Sequence, residues 1–525
     1  MSKLSERVGI YKELMPQDGF TLDSATEFVG AIAQANDKMV QLDSALGEDT
    51  SLSKVVAGTI IDLQKDGLQF DTYKLDAVFS ATAKVLDTVD LDSVGGVQGS
   101  EVVASMIKAN IYTILSATVP FSGTMTDVVA RDSSKSNTKF KMLVVEPIVS
   151  RAKAGFSEGE GINGLNAGNP LANTSRNETQ LYVTDTKVYT FNAKAKDGDT
   201  ENIAIERGTN SVIIAGNVFV EDYDASATTG DKYTQLVTVE GQEVKVEFNY
   251  SAGTIVLTFA DNVTAGTKMY FEAGLSTAEM SKITSAIKSD IRDYNYVAQT
   301  YALDTEISVL KARELLQNTG INIATNDLSV ALSKMASEIK QRKIDCAVAL
   351  ATSFGTTVDV AGADESVRAE RYKRVLEEVE SAKADIVKES GLSSQVVLVG
   401  GNALLKIYTG LSAIQTKTNV IASNENAIRF IGYLNGSIPC YYNPRHDIDY
   451  PKNGDGEDTF FVVGNPSDPA KKPVLDGIGL PILPDNGIGT DLDGNKVTRL
   501  SGKIIVSANK DPRARKQVRE LKVKL

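Results

Sequence analysis

Over the first 118 residues apolar positions recur at helical spacing. Ser24 and Glu27 form a capping-box pair ahead of Phe28, Ile32, Ala35, Met39, Leu42 and Leu46, which fall on one helix face. Further apolar stretches run from Leu52 to Leu63 and from Leu75 to Val89. Gly95-Gly96 then breaks the chain before a helix carrying Val103, Met106, Ile107, Ile111, Ile114 and Leu115, which Pro120 closes. Several amphipathic helices in series, with no strands between them, describe an arm or bundle. Phe140–Val149 reads as a strand. The Gly- and Asn-rich run GFSEGEGINGLNAGNPLANTSRNE after it has no period, and loops that long are usually functional or held by a partner.

From about 179 to 275 the period becomes two. Leu181, Val183, Val188 and Phe191 are followed by Val237–Val239, Val244–Tyr250, Ile255–Phe259 and Met269–Phe271, separated by short Gly-bearing turns. This predicts a small β-sandwich without the Cys pair or core Trp of antibody domains. Helical spacing returns at Ser276, where Met280, Ile283, Ile287 and Ile291 predict a helix. A longer helix starts near Asp327, with Leu328, Leu332, Met335, Ile339 and Cys346 on one stripe. A third, about Asp364 to Glu389, places Tyr372, Val375, Val379, Ala382 and Ile386 together and stops at Gly391. Val396–Val399 is a buried-strand candidate, followed by a short helix at Ala403–Tyr408. Strands are expected at Ile428–Tyr433, Phe460–Val463, Lys503–Val506 and Leu521–Leu525. The fold class is α+β.

Charge sharpens this layout. The 525 residues hold 55 Lys plus Arg against 68 Asp plus Glu, a net charge of −13, which argues against a dedicated DNA-binding protein. Residues 195–275 hold thirteen acids and five bases, so most of the excess sits on the β-rich segment. The last sixteen residues hold seven bases and two acids. Such a cluster can touch phosphate without reading sequence, but the alternation reads first as a terminal strand.

Candidate chemistry is sparse. One His and two Cys leave little for a His/Cys metal site or histidine acid–base catalysis, and Cys346 and Cys440 make no disulfide framework, which fits a reducing cytoplasm. The first residues lack the apolar core of a secretory signal, and no run of about 18 apolar residues predicts a membrane span. Gly159-Glu-Gly161-Ile-Asn-Gly164, with Asp185 beyond it, has the letters of the dinucleotide fingerprint. That motif needs a strand entering and a helix leaving, and neither flank fits. Val399-Gly-Gly-Asn402 has the right context and the wrong spacing, and reads as a tight strand–helix turn. Asp491-Leu-Asp493-Gly-Asn495 lacks the Gly and Glu positions of a calcium loop and reads as a hairpin turn. His446 lies beside Asp447 and Asp449 without further nitrogen or sulfur ligands, and reads as a satisfied surface residue. No catalytic, cofactor-binding or metal residue and no cofactor is expected, and the chain is not read as an enzyme.

One stretch carries a resemblance. Tyr301-Ala-Leu-Asp-Thr-Glu-Ile-Ser-Val-Leu-Lys-Ala-Arg-Glu-Leu-Leu-Gln-Asn-Thr-Gly320, with the helix that follows, resembles the region leading into the spine helix of tailed-phage major capsid proteins of the Hong-Kong-97-type fold, particularly the T-even-like branch. The resemblance implies an N-terminal helical arm at 1–118 and an E-loop at 119–178. A peripheral domain would follow at 179–194 and 276–363, with its spine helix at about 327–352. An acidic β-rich insertion domain is implied at 195–275 and an axial domain at 364–485, with 486–525 returning to the peripheral domain as a terminal strand. The implied function is a structural subunit that self-assembles into hexamers and pentamers of an icosahedral head around double-stranded DNA. Synthesis in the host bacterial cytoplasm and residence in the virion are implied with it. The implied partners are copies of itself through the arm and E-loop, with scaffolding, portal, vertex or decoration proteins, packaged DNA contacted only non-specifically, and no membrane. Some members of the fold join neighbours by Lys–Asn bonds. Lys135, Lys139, Lys141 and Lys153 lie in the expected loop, but no partner Asn is identified and the crosslink is not expected. Three other readings stay open at this point: a phage tail sheath or other helical virion protein, a nucleotide-dependent enzyme using Gly159–Gly164 or Gly400–Asn402, and a surface-layer or adhesin protein.

Overall fold

The structure, a computed structural model of the chain, describes residues 117, 119–125, 139–151, 157–162, 174–195, 199–222, 230–279, 283–308, 323–360, 365–392, 395–411, 415–416, 428–451, 456–485 and 496–525, with positions 24, 25, 27, 57, 60, 61, 314 and 317. The expected helices before Pro120 lie outside the described residues, except that Ser24, Ala25, Glu27, Ala57, Ile60 and Ile61 are helical. Lys135, Lys153, Gly164 and the Asp491–Asn495 turn also lie outside them.

In chain order, the strands of the first half are β1 (Ser122–Met125), β2 (Lys139–Arg151), β3 (Ser175–Leu181), β4 (Val188–Asn192), β5 (Ser211–Ile214), β6 (Asn217–Val220), β7 (Lys232–Val239), β8 (Gln242–Asn249), β9 (Thr254–Phe259), β10 (Lys268–Gly274), β11 (Ala286–Val297) and β12 (Gln299–Ile307). Then come α1 (Ile323–Val348), β13 (Thr352–Ser353), β14 (Val358–Asp359), α2 (Glu365–Ser390), β15 (Gln395–Gly400), α3 (Asn402–Gly410), β16 (Gln415–Thr416), β17 (Arg429–Leu434), β18 (Ile438–Tyr442), α4 (His446–Asp449), β19 (Asp458–Asn465), β20 (Val474–Asp485), β21 (Lys496–Ala508) and β22 (Val518–Lys524). The chain divides into two compact units, residues 1–144 with 293–525, and residues 145–292.

In the first unit an eight-stranded mixed sheet runs β13-β22-β19-β15-β18-β17-β16, with β14 also on β22. Its central strands are apolar at consecutive positions because both faces are covered. Val397 and Val399 of β15 and Phe461 and Val463 of β19 pack with Leu332, Met335, Ala336 and Ile339 of α1. Their neighbours Val396, Leu398, Phe460 and Val462 pack on the other side with Val375, Val379, Ala382 and Ile386 of α2 and Leu404 and Ile407 of α3. Doubly covered strands lose the polar alternation of half-exposed ones. A second sheet, β1-β20-β21-β12, contributes Val474, Ile482, Leu500, Ile504 and Val506 to the core that α1 covers.

The basic end of the chain enters this fold as an interior strand. β22 lies between β19 and the short strands β13 and β14, with Val518, Leu521 and Val523 buried. Its Arg519 is only 3% exposed, and its Nε donates to Asp385 Oδ2 of α2 at 2.8 Å. One of the seven bases is therefore committed to internal packing.

The second unit contains two four-stranded sheets, β3-β10-β5-β6 and β4-β9-β8-β7. Alternate residues of both fill one core: Phe191, Val212, Ile214, Val244, Val246, Phe248, Ile255, Leu257, Phe259, Met269 and Phe271. Phe191 stacks on Phe271 at 5.8 Å. The sandwich takes in β3 and β4, in line with the period-two reading from about 179, whereas the insertion domain implied by the resemblance began at 195. Ser175 of β3 stands opposite Gly274 of β10, so the segment's first and last strands are neighbours.

Where the helix expected from Ser276 was to carry Ile287 and Ile291, the chain is strand instead, although Ile283 itself is helical. Thr277–Glu279 form a single 3-10 turn, Ile283 joins the sandwich core, and the chain continues as β11. Ile283, Ile287 and Ile291 are four residues apart, a spacing that lines one helix face and equally one strand face. Tyr294, Tyr296 and Val297, which follow, favour the strand. The start of the Tyr301 stretch is also strand, β12, and the long helix lies four residues earlier than expected.

Candidate assembly surface

Where the described residues include a sequence motif that hinted at a ligand, the protein's own groups occupy it. At Gly159 the backbone turns (φ +84) so that its N–H donates to Val149 O at 2.8 Å, while Val149 N–H returns to Glu160 O at 2.9 Å. Gly161 bridges to Ile148. This is a turn folded back on β2, with its amides already used. At the Val399-Gly-Gly-Asn402 turn, the N–H of Asn402 points at the Asp447 carboxylate, 3.2 and 3.3 Å from its oxygens. A carboxylate at a helix N-terminus takes the place a phosphate would need. The tight-turn reading therefore fits the geometry, with Asp447 as the anchor that the sequence did not reveal.

His446 departs from the surface position expected of it. It is 1% exposed, its Nε2 lies 2.8 Å from Thr459 O, and its ring packs against Tyr450 and Phe461. Its Nδ1 has no partner. Burial pushes its pKa below the usual imidazole value, against the pull of Thr459 O and of Asp447, Asp449 and Asp458. Cys440 is buried in the sheet and its thiol is pushed up to about 12, while the thiol of half-buried Cys346 is also raised by burial. Neither thiol has the depressed pKa of a reactive cysteine. Among the described residues no group of three or more His, Cys, Asp or Glu is placed to hold a metal. Nor, among them, is any helix long and apolar enough to cross a membrane.

What the fold leaves unfilled are surfaces. Among the described residues β2 and β11 form a two-stranded ribbon, to which the Gly159–Gly161 turn adds one bridge at Ile148. Phe140, Met142 and Tyr296 turn one face of it into a cluster with Leu475 and Ile505. Lys141 Nζ meets Asp293 at 2.7 Å across the ribbon, which puts the odd-numbered positions of both strands on the opposite face. The lysine holds the Asp293 carboxyl below the usual range. Within the second unit these odd positions expose Val145 (61%) of β2 and Ile287 (54%) and Ile291 (67%) of β11, and within the first unit Leu143 (53%) and Val297 (49%) are exposed. Single exposed hydrophobes are ordinary, whereas repeated ones on one strand face mark an interaction surface.

A second unfilled feature lies in the first unit. A groove of about 520 Å³ runs beside α1, lined by Thr300 and Tyr301 of β12, Lys334, Glu338, Gln341, Arg342 and Asp345 of α1, and Asn443 and Arg445 before α4. Most of its charges are internally matched. Lys334 pairs with Glu338 at 3.2 Å, Arg445 with Asp449 at 3.2 Å, and Gln341 donates to Asp345 at 2.9 Å.

The first unit also holds a buried ion pair. Lys343 Nζ of α1 contacts Asp476 Oδ2 of β20, and Ser122 Oγ of β1 donates to the same oxygen at 2.7 Å. Neither the pair nor the groove had a sequence signal, because their members are scattered from 122 to 476. The ribbon had one, in Ile287 and Ile291, but in helical disguise.

No family model matches the chain, and no curated protein matches it. Solved structures similar to it include the capsid of Myoviridae phage XM1, at 10% identity over 57% of this chain and 88% of that one, with a TM-score of 0.28. Microbacterium phage Oxtober96 matches at 10% identity over 56% and 87%, with a TM-score of 0.30. A virus-like particle from Pyrococcus furiosus matches at 12% identity over 45% and 80%, with a TM-score of 0.26.

Proposed function

We propose that this chain is a shell-forming structural subunit, a major capsid protein of the Hong-Kong-97 type that assembles with copies of itself around double-stranded DNA. The observation that carries the reading is the β2–β11 ribbon, whose part in the second unit turns Val145, Ile287 and Ile291 toward solvent. Fully covering a Leu, Ile or Val contributes roughly 1.5–3 kcal/mol, so several such positions make a ribbon that gains most when a neighbour lies on it. The order of parts agrees: ribbon strand, long helix α1, a sheet with α2 and α3, and a returning final strand. In this reading the ribbon is the E-loop and α1 the spine helix.

The acidic sandwich is an insertion between the two ribbon strands. Its support is the register of β3 with β10, which brings the ends of the inserted segment together. With thirteen acids and five bases in 195–275, that module is kept away from packaged DNA by charge. Contact with DNA is then non-specific and made by other surfaces.

Electron microscopy of the purified, recombinantly expressed chain tests the proposal. Closed shells built of hexamers and pentamers are expected, and Ile291→Asp should yield folded chain that no longer forms them. Open tubes would identify a helical virion protein instead. A chain that stays monomeric at every concentration and salt would sink the shell reading.

A further inference from the structure

We infer that the groove beside α1 receives a carboxylate presented by a second copy of this chain. The inference rests on the shell reading and adds to it a polar contact distinct from the apolar ribbon. Its starting point is a surplus of donors. Asn443 is fully buried in the groove wall, and its Oδ1 already accepts the Arg445 N–H at 3.0 Å. That bond fixes the orientation of the amide and leaves Nδ2 as the group without a partner. Buried amide donors are nearly always satisfied, so an unsatisfied one at a groove wall marks a place where an acceptor belongs.

The charges around it point the same way. Glu338 and Asp345, the two carboxylates of the lining, are engaged by Lys334 and Gln341. Arg342 is exposed, lines the same groove, and makes no ion pair among the described residues. Arg445 keeps its guanidinium at the rim, paired through one nitrogen to Asp449. An incoming group that only accepts hydrogen bonds satisfies Asn443 and Arg342 together, and a carboxylate does so with charge assistance. A cation or an apolar side chain would satisfy neither. The net charge of −13 makes carboxylates the surplus groups of any copy lying alongside. Such a contact sets register and specificity between copies more than raw affinity.

The test uses the full chain. Arg342→Glu changes an exposed side chain and should leave circular dichroism and the melting curve as in wild type. It should also raise the concentration needed for assembly at least tenfold, while Arg342→Lys keeps assembly near wild type. In parallel, Lys334 at the groove rim is replaced by the photocrosslinker p-benzoylphenylalanine, and light and heavy isotope-labelled chains are mixed before assembly. Crosslinks joining light to heavy chain, on peptides containing Asp or Glu, are expected. Arg342→Glu assembling as well as wild type, or crosslinks found only within one chain, overturns the inference while the shell reading stands. Failure of wild type to assemble, with no light-to-heavy crosslink, overturns both.

Discussion

A buried imidazole with one free nitrogen is a pH-sensitive point, and His446 is the chain's single histidine. In the folded chain burial lowers its pKa below the unfolded value of about 6.5, so the neutral ring is the folded form. As pH falls below about 6.5 the unfolded chain takes up the proton first, and the stability His446 contributes above that pH is progressively lost. His446→Phe keeps the ring packing against Tyr450 and Phe461 and removes the titration. Melting curves of the two proteins should therefore converge between pH 7 and pH 5, the wild type falling faster. Parallel curves would contradict this account. The Lys343–Asp476 pair is sensitive to a different change, since Lys343→Met strands a buried carboxylate without this cation. Losing one partner of such a pair costs about 3–5 kcal/mol, whereas replacing both by apolar groups is often nearly neutral. Denaturant titration should thus find Lys343→Met far less stable than Lys343→Met/Asp476→Leu, and equal losses would refute the buried-pair reading. Neither residue role was legible in the sequence. A pattern of neighbours showed His446 beside aspartates but not the Tyr450–Phe461 box, and Lys343 and Asp476 meet only after folding.

Elements were more legible than residues, because local periodicity decides them wherever one face is buried. The pattern of Tyr372, Val375, Val379, Ala382 and Ile386 gave α2 nearly to its ends, and the unbroken Val396–Val399 run gave a doubly covered β15. The failure at Ile287 and Ile291 has a physical cause: a spacing of four cannot tell a helix face from a strand face. The Gly400-Gly401 turn joins these scales. A Cβ on Gly401 would sit 2.0 Å from Asp447 Oδ1. Gly401→Ala must therefore push Asp447 off the N-terminus of α3 or distort the turn. Because the atoms in the way are the end of a side chain, the carboxylate can swing aside, and the cost is that of losing a helix N-terminal acceptor, about 0.5–2 kcal/mol. Chemical denaturation of the variant should show a loss of that size, close to that of Asp447→Ala. An unchanged midpoint for Gly401→Ala would mean that the turn is looser than its geometry.

For the whole molecule, the acidic stretch 195–275 lies inside the segment that folds as the sandwich. That segment has its own core, its own two sheets, and entry and exit strands paired as neighbours at Ser175 and Gly274. A segment so built depends on the rest of the chain for neither core nor closure. Residues 174–285 expressed alone, a span that keeps Ile283 in its core, should fold to a β-rich domain with a cooperative thermal transition. The complementary chain, with 175–274 replaced by a short Gly/Ser linker, should keep the α-helical signal of α1 and α2, since their core residues all come from outside the segment. Should the isolated segment give a random-coil spectrum while the full chain is folded, the sandwich would be an integral part of the subunit and not an insertion. If both parts fold, assembly of the linker variant separates two roles. Shells formed without the sandwich would assign shell building to the ribbon and the first unit, and would leave the acidic module as an added surface.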